Sequence, residues 1–329
     1  MPNVVTFPDP STPSLSPRTQ PRPVSVLTLA RGRAAHLHNV ILGLTRQNHP
    51  PVELIIGVMQ DAPYEDLPAT DFPIRQIHIK GEELPLSKAR NTVARAARAE
   101  VLAFVDVDCI PGPDMTQVYG ILAQPGQGLL MGEVMYLPSG ATTDDWSYDG
   151  FDQIAERHSD RPGPPKDALA PCKDYRCFWS LNFAMHRLDW DRSGGFDEDF
   201  TGYGGEDTDF GRTLNAAGIR INWVRGARVY HQYHPHCMPP IHHIPAILRN
   251  TEVFAAKWGH RTMEHWLSGF RMMGLIDEVD GALVQVRDPD EADFELCRQQ
   301  EHMPYANTAR VLRTLRARAD QDASVVAAQ

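Results

Sequence analysis

Two long apolar runs, Val24-Ser25-Val26-Leu27-Thr28-Leu29-Ala30 and Val52-Glu53-Leu54-Ile55-Ile56-Gly57-Val58-Met59, each stop abruptly at polar residues. Runs of this kind suit strands covered on both faces, as in a parallel sheet. Between them Leu37, Val40, Ile41 and Leu44 recur at three- and four-residue steps, which places them on one helical face. Phe72 to Ile79 reads as a weaker third strand and Val101-Leu102-Ala103-Phe104-Val105 as a fourth. A helix is expected from near Ser87, whose hydroxyl can cap it, through Ala89, Val93 and Ala97. The alternation predicts an α/β fold with a mostly parallel sheet flanked by helices. Sites in such sheets lie outside the carboxyl ends of the strands. There the chain carries Arg31-Gly32-Arg33, Gln60-Asp61 and Asp106-Val107-Asp108.

The apolar fraction of 42% is enough for a sizeable core over 329 residues, which excludes disorder along the whole length. A net charge of −10 argues against a nucleic-acid polymer or an anionic membrane as the partner. Five scattered cysteines, with no C-x-x-C pair, fit neither a disulfide scaffold nor a four-cysteine zinc site, although Cys172 and Cys177 can pair under oxidising conditions. With neither a signal peptide nor a transmembrane segment in view, the expected location is cytoplasmic.

Residues 1–23 read as a disordered or strapping leader and 138–171 as a long polar loop with short helices. Strands are expected at 219–224 and 227–230, with helices from Ile244 to Trp258 and from Trp266 to Ile276. The expected organisation is therefore a main domain over 24–240, split near 115, and a helical C-terminal extension over 241–329.

Asp106 and Asp108, one residue apart at a strand end, can face one divalent cation, and hard oxygen ligands suit Mn²⁺ or Mg²⁺. Solvated strand-end acids are the plainer alternative. Lys88, Arg90 and Asn91 open the preceding helix, where free amides and cations favour phosphate oxygens, or where they simply solvate an amphipathic helix. Farther on, Tyr203-Gly204-Gly205-Glu206-Asp207-Thr208-Asp209-Phe210 sets acids behind glycines at a helix start. One acid can take a hydroxyl proton while the other grips sugar hydroxyls, and helix capping is the competing role. His231, His234, His236, Cys237, His242 and His243 offer metal-ligand chemistry without the spacing of a closed zinc site.

The run Phe178-Trp179-Ser180-Leu181-Asn182-Phe183, with Gly194-Gly195-Phe196-Asp197-Glu198 and Gly204-Gly205-Glu206-Asp207, resembles the C-terminal part of galactosyltransferase-type enzymes. The first half, with Lys88-Ala89-Arg90-Asn91 and Asp106-Val107-Asp108, resembles a family 2 glycosyltransferase of the GT-A fold. The resemblance runs over about residues 24–235. It implies metal-dependent, inverting transfer of a hexose from a UDP-sugar to an acceptor hydroxyl. In its terms Asp108 and His231 hold the metal, with Asp106 on the metal or the donor ribose. Asp207 is the base. Glu206, Trp179, Tyr203, Phe178, Gly205 and Asn182 form the substrate side. Ala30, Arg31, Arg33, Gln60, Asp61 and Val107 frame the nucleotide, while Lys88, Arg90 and Asn91 face its phosphates. The first strand departs from the family, ending Ala30-Arg31-Gly32-Arg33 where many relatives carry a Pro-Thr-Tyr-Asn-Arg-like run. A carbohydrate or small glycoside is the implied acceptor, and a homodimer through the extension is compatible. A nucleotide-sugar hydrolase or phosphoryl-transfer enzyme, and a non-catalytic carbohydrate-binding protein, are the alternatives.

Overall fold

The computed structural model describes residues 20–81 and 83–327, so most of the leader expected at 1–23 lies outside the described residues. The first half runs β1 (Val24–Ala30), α1 (Ala34–Thr45), β2 (Glu53–Val58), β3 (Ile74–His78), α2 (Leu86–Ala96) and β4 (Val101–Val105). Every residue of β1, β2 and β4 is buried, because helices cover both faces of the sheet they form. Pro85, not Ser87, stands at the N-cap of α2, with no side-chain cap. Ser87 lies inside the helix, buried, and its hydroxyl has no partner.

The chain continues through β5 (Cys109–Pro111), α3 (Met115–Leu122), β6 (Leu129–Met131), β7 (Val134–Tyr136), α4 (Tyr148–Ile154), β8 (Glu156–Arg157) and β9 (Leu169–Pro171). Then come β10 (Asn182–His186), α5 (Arg187–Ser193), α6 (Glu206–Ala216), β11 (Ile221–Val224) and β12 (Val229–His231). The main sheet has the order β3-β2-β1-β4-β10-β6-β11-β9. Its first four strands are parallel, and β10 lies antiparallel between β4 and β6. A second sheet, β5-β12-β7-β8, pairs His231 with Cys109 on one side and Tyr136 on the other. That register sets His231 next to the turn that follows β4.

Apolar clusters fill both faces of the main sheet. A separate cluster, from Cys237 and Ile241 to Val311 and Leu315, forms the core of the C-terminal region. This region comprises α7 (Ile244–Trp258), α8 (Glu264–Met272), a hairpin of β13 (Ile276–Val279) and β14 (Ala282–Gln285), α9 (Glu291–Cys297) and α10 (Thr308–Ala327). The hairpin was not expected, since Ile276 reads as the end of a helix by periodicity.

Helix α7 does more than cover. Asn250 donates to the carbonyls of Thr201 and Gly204, and Lys257 pairs with Asp197 at 2.7 Å and buried Asp209 at 2.9 Å. Trp258 Nε1 also donates to Asp209. The glycine-rich loop before α6 is thereby fixed to the C-terminal layer.

Asn91 fixes the same loop from the other side. Its amide bonds both the N–H and the carbonyl of Phe196 at 2.9 and 2.8 Å and also reaches Glu198. It is buried and fully engaged, so it does not meet a phosphate as expected. Asn91→Ala should cost about 1–3 kcal/mol, through the backbone groups it leaves unpaired, read as a lower urea midpoint.

Candidate active site

At the end of β4 the chain turns sharply, with the Cys109 N–H bonding the Asp106 carbonyl at 2.9 Å. The turn leaves Asp106 half-buried, its carboxylate taking the Val107 N–H at 2.7 Å. Asp108 goes inward and is 5% exposed. The Gln232 N–H bonds the Asp108 carbonyl at 2.7 Å, locking the turn to the end of β12. Asp108, His231 and His234 consequently converge, with potential ligand atoms all within 4.8 Å of one another. His234 Nε2 stands 3.3 Å from Asp108 Oδ2.

This donor set fits a divalent cation. Asp108 Oδ1 is buried with no hydrogen-bond partner, an arrangement that wants a positive charge. Burial works to raise the Asp108 pKa, but the His234 hydrogen bond, together with the nearby His231, His234 and Arg33, outweighs it and holds it well below the usual range. Burial pulls His231 down to about 3, so at neutral pH it is an uncharged imidazole with a lone pair to offer. Arg33 hydrogen-bonds Asp108 and approaches His234 Nδ1 at 3.3 Å.

The second acid set stands at the start of α6. Gly205, with φ +94°, is its N-cap, and neither acid caps the helix through its side chain. Asp207 Oδ2 instead accepts from the Ser180 N–H at 2.9 Å, and Oδ1 is left without a hydrogen bond. Arg90, 8% exposed, donates to Ser180 Oγ at 2.5 Å. Its guanidinium lies 3.5 Å from Glu206 and 3.8 Å from Asp207. Burial raises Glu206 to about 7, with the neighbouring Asp207 charge adding to the effect and Arg90 opposing it. Burial likewise raises Asp106 to about 6, with Asp108 adding and Arg90 and Arg33 opposing. Arg90 thus acts on acids of both sets, and Tyr203 feels Glu206, Asp207, Asp106 and Arg33 together. Both acid sets therefore lie within electrostatic reach of Arg90 and Tyr203.

The family models agree with this geometry. Residues 25–168 match glycosyl transferase family 2, and residues 167–235 match the model described as the N-terminal domain of galactosyltransferase. The chain is a family 2 glycosyltransferase with a galactosyltransferase-like segment. It is 28% identical over 235 residues to validoxylamine A glucosyltransferase of Streptomyces hygroscopicus subsp. limoneus, covering 61% of this chain and 50% of that one. It is 25% identical over 262 residues to hyaluronan synthase of Pasteurella multocida, covering 67% and 26%. The chain spans about half the length of the glucosyltransferases it matches. The crystal structure of S. aureus TarS 1-349 in complex with UDP-GlcNAc gives a TM-score of 0.46 at 13% identity, covering 64% of this chain and 59% of that one.

Several residues of this glycosyltransferase sit elsewhere than expected. Phe178 is wholly buried between Phe183 and Phe210, with no face left for a sugar. Asn182 is spent on Tyr119 and the carbonyls of Glu133 and Ala227. Val107 and Ala30 belong to the core. Arg33, expected at the nucleotide, meets Asp108. Gln60 accepts from the Gly32 N–H at 2.7 Å and Tyr64 donates to the Gly32 carbonyl at 2.6 Å, so both shape the turn after β1. Arg31, Asp61 and Lys88 are exposed. Trp179 is half-buried under the Arg161 guanidinium at 3.5 Å, and half-buried Tyr203 stacks on His243 at 4.6 Å. Asp106 falls outside the three-ligand group, and His234 takes the place expected for it. The signal for His234 was present, three residues after His231, but a crowded histidine segment gave no means to choose.

Glu206 and Asp106 bind protons more tightly folded than unfolded, so their own contribution to stability should fall as pH rises from about 4.5 to about 7, opposed by buried histidines such as His231 and His236, whose lowered proton affinity contributes in the other direction. Glu206→Gln should shrink that fall, as read from urea midpoints at about pH 5 and about pH 7.5.

Proposed function

We propose that the protein transfers a hexose from a UDP-sugar to an acceptor hydroxyl with inversion, galactose, glucose or an N-acetylated form being the sugar. The observation that carries this reading is Arg90, which lies 3.5 and 3.8 Å from the two acids at the start of α6 and whose charge lowers the proton affinity of Asp106 at the end of β4. A cation-holding acid set on one side and, on the other, a carboxylate oxygen with no hydrogen bond and 3.8 Å from the Arg90 guanidinium suit in-line displacement at a sugar carbon.

In this reading Asp108, His231 and His234 would hold Mn²⁺ or Mg²⁺, which supplies positive charge against the departing diphosphate. Asp106 takes a ribose hydroxyl of the donor. Arg33, released from Asp108, faces the diphosphate. Asp207 takes the proton of the acceptor hydroxyl on its unpartnered Oδ1, while its other oxygen stays anchored on the Ser180 N–H. Helix α6 presents its positive end to the same acids, which favours the ionised base before transfer. Glu206, held by Arg90, orients a sugar hydroxyl. Tyr203, stacked on His243, and Trp179, under the Arg161 guanidinium, offer their remaining ring surfaces to the sugars.

Asp207→Asn should keep Mn²⁺-dependent UDP binding in calorimetry and lose transfer by about 100- to 10,000-fold. An unchanged rate would remove Asp207 from the role of base. Asp108→Ala should abolish Mn²⁺-dependent UDP binding in the same titration. Free sugar released without acceptor, as fast as the best transfer, would indicate a hydrolase.

A further inference from the structure

A metal-ligating histidine is ordinarily oriented by a hydrogen bond from its second ring nitrogen to a carboxylate or a carbonyl. Among the described residues the His231 imidazole makes no hydrogen bond. What it has instead is a ring against its face. Tyr136 stacks on it at 4.8 Å between ring centres, with the planes 29° apart. The two are registered partners of β7 and β12, so their side chains leave the small sheet on the same face. Both are buried, and the Tyr136 hydroxyl bonds no described residue, so what Tyr136 gives His231 is its ring.

Tyr136 is held in turn from a distant part of the chain. Tyr305, between α9 and α10, approaches it at 5.5 Å with the planes 61° apart, and His158, just after β8, lies 5.8 Å away. The Tyr305 and His158 rings are 4.2 Å from each other. Tyr305 is itself anchored, its oxygen accepting from the Ser159 N–H at 3.1 Å while Asn307 donates to Ser159 Oγ at 3.2 Å. Rings packed in this way leave the imidazole little room to rotate.

We propose that Tyr136 is a positioning residue for the cation ligand His231, and that Tyr305 brings the support of the C-terminal layer to it. The inference rests on the reading of Asp108, His231 and His234 as the cation-holding set, and names what orients one of them. Tyr305 lies outside both family matches, so cation affinity depends on a region those matches do not reach.

Calorimetric titrations of the full chain with UDP at graded Mn²⁺ concentrations give an apparent Mn²⁺ constant without turnover. Tyr136→Leu should weaken that constant by about 10- to 100-fold, the range for losing a group that orients a ligand. Tyr136→Phe, which keeps the ring, should leave it unchanged, and Tyr305→Leu should weaken it by less than Tyr136→Leu does. Phe151→Leu controls for stability. Phe151 is a buried ring stacked on Trp146 and packed on Tyr230, which points to the other face of β12 from His231. Its loss should lower the urea midpoint and spare the Mn²⁺ constant. A native constant in Tyr136→Leu, an equal loss in Tyr136→Phe, or an equal loss in Phe151→Leu would each overturn the positioning role, and a native constant in Tyr305→Leu would remove the C-terminal layer from it. Asp108→Ala separates the two levels. UDP binding that does not depend on Mn²⁺, or that keeps its dependence in Asp108→Ala, defeats the reading of the cation site itself.

Discussion

The buried guanidinium of Arg90 is the interaction on which the site depends. Asp106 and Asp108 come from the turn after β4, Glu206 and Asp207 from the start of α6, and within each pair the neighbouring carboxylates repel one another. Arg90 stands within 4 Å of both α6 acids and lowers the proton affinity of Asp106. It also donates to Ser180 Oγ, the residue whose N–H anchors the proposed base. One side chain therefore balances charge and sets geometry. Removing it would leave buried negative charge uncompensated, which costs far more than the net worth of any single ion pair.

Around that cation the frame is unusually well tied. The small sheet carries His231 to Asp108 through its pairing with β5, and the Gln232 backbone closes the turn. The glycine-rich loop is gripped from opposite sides, by Asn91 of α2 and by Asn250 of α7. A site borne on loops becomes precise only where packed elements hold those loops. The C-terminal layer, outside both family matches, thus contributes to the position of the α6 acids.

Legibility followed burial. The strands were readable because residues covered on both faces must be apolar, and β1, β2 and β4 are buried throughout. Asp108 and the Gly-Gly-Glu-Asp segment stood out because acids gather directly after an apolar strand or after paired glycines, although solvation and helix capping competed as their roles. Asn91, Asn182 and Phe178 misled for one reason. Each has a side chain suited to a ligand, and each is consumed by contacts made far along the chain, such as Asn91 with Phe196. Ser87 misled more locally, because Pro85 caps the helix two residues earlier than the Ser87 hydroxyl would.

By itself the amino-acid order determined the layers and the chemical kind of the site. Local periodicity and the ends of apolar runs dictate where strands stop, and strand ends are where polar residues collect. Only the tertiary structure decided which polar groups remain available. His234 over Asp106 beside the cation ligands, Arg33 on Asp108, and the Tyr136 ring against His231 all depend on distances between segments remote in sequence. Availability is what remains after every other buried group has found its partner, and that accounting exists only once the chain has folded.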